Sequence, residues 1–209
     1  MKRDLTLVFD FDGTIVDSLR AVFEIGNRIA PKFGFRQVKE DEIETFRGKG
    51  SRKVLETLKI SVYKAPFVLG EIKKELSKET ERLPVVEGIG KALRELTKNG
   101  VKIGILTSNT EDNVKKFLRK NDLDFFDFIY CRSSLFGKDK VIRKMLKEKQ
   151  LEPSKVIYIG DETRDIEACK KCHLQIVAVS WGFNSHEVLK SHGADWVIDH
   201  PIQLLSLVS

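Results

Sequence analysis

The most informative segment of the chain is Leu5-Thr6-Leu7-Val8-Phe9-Asp10-Phe11-Asp12-Gly13-Thr14. A short apolar run that ends in two aspartates and a glycine predicts a buried strand followed by a sharp turn. Residues i and i+2 of an extended segment project to the same side, so Asp10 and Asp12 are expected to converge while Phe11 points toward the core. Close carboxylates repel each other unless a cation lies between them or one is protonated. The pair therefore indicates a metal site or an acid–base pair, and a solvated turn that caps a helix is the alternative.

Further apolar runs along the chain, several followed by a polar loop and a helical pattern, predict a parallel sheet with crossover helices. The predicted strands are 5–10, 101–106, 126–130, 156–159, 176–179 and 196–198, and the predicted helices are 89–98, 110–120, 138–149, 164–171 and 185–192. The fold class is therefore α/β.

One segment, residues 17–83, breaks this alternation because it has a helical pattern without a convincing strand. Two apolar faces at helical spacing are predicted there, one made of Leu19, Val22, Phe23, Ile29 and Phe33, and the other made of Phe67, Leu69, Ile72 and Leu76. The turn after Asp12 and the proline at Pro84 suggest its limits. The sequence thus predicts an all-helical insertion after the first strand.

Polar residues follow other predicted strands at the same edge of the sheet. Thr107-Ser108-Asn109 follows one strand, Asp161-Glu162-Thr163-Arg164-Asp165 follows another, and Lys138 begins a helix nearby. Ligands of open parallel sheets bind beyond the carboxyl ends of the strands, and helix N-termini suit a phosphate. Taken singly, these residues also fit a helix cap, a surface lysine and the acids favoured in a first helical turn. Together they predict one cleft.

Taken in order, these motifs resemble those of the haloacid dehalogenase superfamily, in the phosphatase branch related to phosphoglycolate phosphatase. Asp10-Phe11-Asp12-Gly13-Thr14 matches the first motif, Thr107 the second, Lys138 the third and Gly160-Asp161-Glu162-Thr163-Arg164-Asp165 the fourth. The resemblance implies a doubly wound, Rossmann-like parallel sheet formed by residues 1–16 and 84–209, with residues 17–83 as a helical cap domain.

The resemblance also implies a role for each matched residue. Asp10 would be the nucleophile that forms an aspartyl-phosphate, and Asp12 the general acid and base. Mg²⁺ would be held by Asp10, by Asp161 and by the main-chain carbonyl of Asp12. Asp165 would orient metal-bound water. Thr107, the Ser108 N–H and Lys138 would hold the phosphoryl oxygens. Lys140 is an alternative to Lys138, because the third motif here reads Phe136-Gly137-Lys138-Asp139-Lys140.

A second candidate region lies in the predicted cap, where Phe46-Arg47-Gly48-Lys49-Gly50-Ser51-Arg52 places glycines and three cations in one short loop. It resembles the cap loop that phosphoglycolate phosphatases and related mutases turn toward the substrate. Arg47, Lys49 and Arg52 are therefore expected to bind a carboxylate or a second phosphate of the leaving group. A solvated helix start is the alternative.

The function that this resemblance favours is a Mg²⁺-dependent phosphatase for a small phosphorylated metabolite, with phosphoglycolate as the first candidate. A β-phosphoglucomutase-like phosphotransferase is the nearest rival, and pyrophosphate or a nucleoside monophosphate is an alternative substrate. Asp12 favours phosphoryl transfer over dehalogenation, since dehalogenases of this scaffold lack that second carboxylate. A non-catalytic phospho-switch or binding protein is the alternative of another class.

Composition sets wider limits on function. The chain has 209 residues, of which 41% are apolar and 33% charged, and this excludes disorder. The net charge is +6, but the basic residues are interspersed with acidic ones, so no nucleic-acid partner is expected. Attraction of small anionic substrates explains the basic excess as well. Apolar runs are far shorter than the roughly 20 residues that cross a bilayer, so no membrane span is expected. Asp10 and Asp12 also interrupt any signal-peptide core, which predicts a cytoplasmic protein.

Overall fold

A single parallel sheet dominates the computed structural model, which describes residues 5–132 and 137–207 except for the side chains of Ser51 and Arg52. The strands are β1 (Thr6–Phe9), β2 (Lys102–Thr107), β3 (Phe128–Cys131), β4 (Val156–Gly160), β5 (Gln175–Val179) and β6 (Trp196–Ile198). The helices are α1 (Leu19–Phe33), α2 (Ile43–Arg47), α3 (Ser51–Thr57), α4 (Ala65–Glu79), α5 (Ile89–Lys98), α6 (Glu111–Lys120), α7 (Lys138–Glu148), α8 (Thr163–Cys172) and α9 (His186–Ser191). Every predicted strand and every predicted helix of the sheet region is confirmed, with bounds that move by at most two residues.

Helices cover both faces of the sheet, and the alternation of β1 shows how. Leu7 and Phe9 join an apolar cluster with α5 and α6 on one face. Val8 points the other way, into a cluster with α7, α8 and α9. All four residues of β1 are buried, as expected for a central strand that is packed on both sides. The architecture is therefore a doubly wound α/β fold.

The strand order locates the crevice. The order is β3-β2-β1-β4-β5-β6, so the chain winds outward from β1 in one direction and then returns to wind outward from β4 in the other. Ligands of such sheets bind where the order reverses, outside the carboxyl ends of the strands. Phe9 lies in register with Ile159, and the Asp10 N–H donates to the Ile159 carbonyl at 2.8 Å. The loops after β1 and β4 therefore lie side by side at this reversal.

Residues 17–83, all within the described part of the chain, fold into helices α1 to α4 and short 3-10 turns without a strand. They bury an apolar cluster of their own, the insertion core, which consists of Leu19, Ile29, Val38, Ile43, Phe46, Leu58, Ile60, Ala65 and Val68. The chain leaves and re-enters the sheet region at one place: Val16 and Val85 form an antiparallel bridge, and the Asp17 N–H donates to the Pro84 carbonyl at 2.9 Å. These contacts lie at the ends of the predicted insertion, and the division into two domains stays a prediction.

One predicted helical face was wrong in part. Phe67 was expected to lie on a buried face with Ile72 and Leu76, but its side chain is 70% exposed, whereas Val68 is 1% exposed. At about 100° per residue, Ala65, Val68, Ile72 and Leu76 fall on one face of α4, and Phe67 lies on the opposite side from Leu76. In the part of the chain that the structure describes, no helix has the length and apolar character needed to cross a membrane.

Candidate active site

The two aspartates after β1 lie at the reversal of the strand order, where the turn of the first motif places them. Gly13 adopts φ of 80°, a conformation that favours glycine, and Phe11 is fully buried with its ring edge-on to Phe117 at 5.3 Å between centroids. Asp10 is 7% exposed, and its Oδ1 accepts from the Phe11 N–H at 2.9 Å. The Oδ1 of Asp12 is buried and has no hydrogen-bond partner. Asp12 thus carries an unsatisfied polar atom that is available for chemistry.

Burial perturbs the protonation of both aspartates. It raises the pKa of Asp10 above the ordinary value, although the charge of Lys138 acts against the shift. Burial, and then the charge of Asp10, raise the pKa of Asp12 to about 7. A carboxyl with a pKa near neutrality can give and take a proton at physiological pH. Asp12 is therefore the member of the pair that is suited to proton transfer near neutral pH.

Lys138 connects the first motif to the fourth. It begins α7, directly after Gly137 in a left-handed conformation, and its Nζ lies 2.7 Å from Asp10 Oδ2 and 2.5 Å from Asp165 Oδ1. Burial alone would lower the pKa of Lys138, but the two carboxylates raise it well above the ordinary value, so the amine stays charged. Lys140 is exposed. Of the two lysines considered for the third motif, the structure brings Lys138 to the carboxylates.

The acids of the fourth motif are held at the end of β4. Asp161 and Asp165 are fully buried, and Asp161 Oδ1 accepts from the Thr14 hydroxyl at 3.0 Å while its Oδ2 accepts from the Phe183 N–H at 2.7 Å. Asp165 Oδ2 accepts from the Glu162 N–H at 3.2 Å. Burial, reinforced by the neighbouring acids, raises the pKa of Asp161 well above its ordinary value. A nearby positive charge would therefore favour the ionised form of this carboxyl.

The carboxylates fit a divalent cation. Within the described residues, Asp10, Asp161 and Asp165 each place a carboxylate oxygen within 4.8 Å of the others. Hard cations such as Mg²⁺ prefer oxygen ligands and often take only a few from the protein. Buried acids with raised pKa values are the donors that such a cation would stabilise in their charged form. The carboxylate of Asp12 is outside this group, and its predicted metal contact through the main-chain carbonyl stays a prediction.

The residues of the second motif end β2 at the same edge. Thr107 is 1% exposed, and its hydroxyl oxygen accepts from the Asn109 N–H at 3.0 Å, which leaves its own proton to donate elsewhere. Ser108 is half-buried beside it. Asn109 bonds to the insertion, donating to the Thr80 hydroxyl at 3.0 Å and accepting from the Ser77 hydroxyl at 3.2 Å. This contact between the insertion and the second motif has no signal in the sequence, because it depends on how the insertion packs.

Two cations of the insertion loop, Arg47 and Lys49, make their contacts away from the aspartates of the sheet edge. Arg47 donates from Nε to the Gly182 carbonyl at 2.9 Å, from a terminal nitrogen to the Ser180 carbonyl, and to Glu44 Oε2 at 2.9 Å. Lys49 Nζ lies 5.0 Å from the centre of the Phe46 ring and donates to the Thr57 hydroxyl at 3.3 Å. The side chain of Arg52 lies outside the described residues. The expected contact of these three cations with the substrate therefore stays a prediction, and the bonds of Arg47 favour another role.

Two cations near the acids were not singled out from the sequence. Arg164 pairs with Glu162, whose charge raises the pKa of the guanidinium. Lys73, half-buried on α4, has a pKa that burial lowers and the charge of Asp12 raises. A lysine on a helix 61 positions away from Asp12 carries no local signal. It is the packing of the insertion that brings its charge to bear on Asp12.

Comparisons with known proteins agree with this geometry. A family model described as haloacid dehalogenase-like hydrolase matches residues 7–179. A phosphoglycolate phosphatase from Synechococcus elongatus is 32% identical, with 97% of this chain and 96% of that protein covered. The pyrophosphatase PpaX from Bacillus mycoides is 24% identical, with 98% and 96% covered. A solved structure of a predicted phosphatase from Clostridium acetobutylicum has a TM-score of 0.80 and 26% identity, with 98% and 97% covered. The family match spans every residue of the four motifs.

Proposed function

The chain belongs to the haloacid dehalogenase-like hydrolases, and we propose that it is a Mg²⁺-dependent phosphatase of a small phosphorylated metabolite, with 2-phosphoglycolate as the first candidate. The observation that carries the proposal is the position of Lys138, whose amine lies between Asp10 and Asp165. A cation held against a buried nucleophilic carboxylate is what a phosphoryl group needs at that point. The similarity to a phosphoglycolate phosphatase supports the choice of substrate.

The ligands that we propose for Mg²⁺ are Asp10, Asp161 and the main-chain carbonyl of Asp12. Asp165, which is ion-paired to Lys138, is proposed to act from an outer position by orienting water. When bound, the ion would screen the negative phosphate from the negative nucleophile. The proximity of the three buried carboxylates supports this assignment.

The first half of the proposed reaction transfers the phosphoryl group to the protein. A carboxylate oxygen of Asp10 attacks phosphorus, and the bond between phosphorus and the leaving oxygen breaks. Asp12 gives its proton to that oxygen, so an alcohol departs and an aspartyl-phosphate remains. With a pKa of about 7, Asp12 holds this proton in a large fraction of molecules near neutral pH.

The second half returns Asp10 to its starting state. Water attacks the phosphorus of the aspartyl-phosphate and Asp12 takes a proton from that water. The bond between phosphorus and the Asp10 oxygen breaks, so inorganic phosphate leaves and the Asp10 carboxylate is restored. Thr107, the Ser108 N–H and Lys138 are proposed to hold the phosphoryl oxygens through both steps. The helical insertion at 17–83 is proposed as the cap that excludes bulk water from the first step and admits it for the second.

A second candidate activity is hydrolysis of pyrophosphate. It is favoured by the similarity to PpaX, which extends over 98% of this chain. The site chemistry is the same for both substrates, since each loses a phosphoryl group to a carboxylate. The two differ in the leaving group, which is an alkoxide in one case and a phosphate in the other.

The test is a comparison of phosphoglycolate, pyrophosphate, a nucleoside monophosphate and a sugar phosphate as substrates, with Mg²⁺ and with EDTA. We expect phosphate release that requires Mg²⁺ and is fastest with phosphoglycolate. Faster release from pyrophosphate would favour the second candidate. Isomerisation of the sugar phosphate with little phosphate release would instead favour a mutase. Stable phosphorylation of Asp10 without turnover would favour a phospho-switch. The proposal fails if none of the four is hydrolysed in a Mg²⁺-dependent way.

We propose the cytoplasm as the location. Cys131, Cys169 and Cys172 are all free thiols. Burial raises the pKa of Cys169 above its ordinary value, so this thiol stays protonated and unreactive. Free cysteines without disulfides suit a reducing compartment.

A further inference from the structure

We propose that Arg47 of the helical insertion is a positioning residue for Asp161, so that docking of the insertion sets the affinity of the site for its cation. The inference rests on the proposed function in one respect, that Asp161 is a cation ligand. Arg47 acts through residues 180–185, the segment between β5 and α9, which we name the Asp161 loop.

The guanidinium of Arg47 is bound to the Asp161 loop. Its side chain is 16% exposed, and two of its N–H groups donate to the carbonyls of Gly182, at 2.9 Å, and Ser180. The main-chain carbonyl of Arg47 accepts from the Ser185 N–H at 3.0 Å. Arg47 thus contacts the loop near both of its ends, and charge-assisted bonds of this kind are about twice as strong as neutral ones.

The Asp161 loop in turn holds Asp161. The Phe183 N–H donates to Asp161 Oδ2 at 2.7 Å, and the Asn184 N–H donates to the Asp161 carbonyl at 3.2 Å. Gly182 packs so closely that an added Cβ would lie 2.2 Å from Asp161 Oδ2. A shift of the loop by a fraction of an ångström therefore moves the partners of this carboxylate.

The same loop reaches the other oxygen of Asp161. Trp181 Nε1 donates to the Thr14 carbonyl at 3.1 Å, and the Thr14 hydroxyl donates to Asp161 Oδ1 at 3.0 Å. Both carboxylate oxygens are therefore oriented by groups that the loop carries or contacts. Outer partners that orient a ligand typically change metal affinity by about 10- to 100-fold when they are lost.

The insertion contacts the Asp161 loop at two further points. The Phe183 side chain packs against the insertion core, and the Asn184 amide donates to the Lys49 carbonyl at 3.2 Å. Asn184 also accepts from the Thr163 N–H at 3.0 Å, at the start of α8. The insertion and the sheet thus share one loop, and its position reports whether the insertion is docked.

Cation binding without substrate tests the proposal. Trp181 and Trp196 are the two tryptophans of the chain, so a Trp196→Phe background leaves Trp181 as the reporter of the loop. Mn²⁺ is titrated into this protein by fluorescence and by calorimetry. We expect Arg47→Ala to weaken binding by about 10-fold, and Arg47→Lys, which keeps the charge but loses the forked geometry, by about 3-fold. Kinetics with Mg²⁺ should show a raised activation constant and a kcat close to that of the wild type at saturating Mg²⁺.

The matched control is Arg28→Ala, which removes an exposed ion pair to Glu79 elsewhere on the insertion and should leave Mn²⁺ affinity unchanged. Gly182→Ala pushes on Asp161 from the loop side and should weaken Mn²⁺ binding as Arg47→Ala does. If Arg47→Ala does not fold, Arg47→Lys decides the question.

Unchanged Mn²⁺ affinity in the folded Arg47 variants would overturn the inference, and a raised KM for the substrate in them would assign Arg47 to the leaving group instead. Wild-type Mn²⁺ binding that survives Asp161→Asn would overturn the proposed ligand set together with this inference. If Mn²⁺ binding is lost in Asp161→Asn but keeps its wild-type affinity in Arg47→Ala, this inference alone is overturned.

Discussion

At the edge of the sheet, Asp10 and Asp165 both direct a carboxylate at Lys138. On the insertion, Arg47 bonds to two carbonyls and to the exposed carboxylate of Glu44, and Lys49 lies against a hydroxyl and an aromatic ring. Asp12 and Asp161 lie beside the ion-paired group of the sheet edge, so the acids there outnumber Lys138, and burial together with neighbouring acids raises the pKa values of Asp12 and Asp161. The two cations of the insertion are satisfied by their own neighbours. Unbalanced charge points to a ligand, and balanced charge points to structure. Removing a charge should therefore cost activity at the sheet edge and stability in the insertion loop.

The largest effect is expected from Asp10→Asn. An amide cannot form the aspartyl-phosphate, so kcat should fall by about 10⁴-fold or more, as in enzymes that lose their nucleophile. Phosphate release under Mg²⁺ measures it. Asp17→Asn, which removes an exposed acid seven residues along the chain, is the control and should keep wild-type kcat. Hydrolysis that persists in purified Asp10→Asn would show that Asp10 is not the nucleophile.

Lys138→Ala is expected to have the next largest effect. It removes the cation beside Asp10 and Asp165, so kcat/KM should fall by about 10²- to 10³-fold. Lys140→Ala, two positions away and exposed, should remain within about 2-fold of the wild type because a solvated lysine contributes little. Equal losses of kcat/KM in the two variants would contradict the proposed role of Lys138 in holding the phosphoryl group.

The protonation of Asp12 gives a prediction on stability. The pKa of Asp12 is about 7 in the folded protein, against an ordinary value of 3.8. Below pH 3.8 the carboxyl is neutral in both the folded and the unfolded protein, so burying it carries no charge penalty. Between the two values the cost of burying its charge grows, and above pH 7 the cost is complete. In EDTA, Asp12→Asn should therefore raise the free energy of unfolding by about 2–4 kcal/mol at pH 8 and by about 1–2 kcal/mol at pH 5.

Urea unfolding at the two pH values measures this difference, and saturating Mg²⁺ should reduce it. The exposed Asp41→Asn serves as the control and should show no such pH dependence. A gain at pH 8 no larger than that at pH 5 would contradict the raised pKa of Asp12.

The same contrast explains which features could be predicted from the sequence. The strands and Asp10, Thr107 and Asp161 were predictable because parallel strands end at one edge, so a polar residue after each strand has a known neighbour. The contacts of Arg47 and the influence of Asp12 on Lys73 were not, since they depend on how the insertion packs against the sheet. The error at Phe67 is of another kind: at about 3.6 residues per turn, Phe67 lies on the opposite side of α4 from Leu76, so the helical period itself excludes it from that face.

The smallest expected effect is that of Lys49→Ala in the insertion loop. Its amine lies over the Phe46 ring and near the Thr57 hydroxyl, so its loss should lower the free energy of unfolding by about 0.5–1 kcal/mol. The KM for phosphoglycolate should stay within about 2-fold, since a cation that is balanced by its own neighbours adds little to binding elsewhere. Lys53→Ala, one turn along on α3 and exposed, is the matched control for both measurements. A KM raised 10-fold with unchanged stability would place Lys49 on the substrate, and the insertion loop would then belong with the sheet edge as a part of the site.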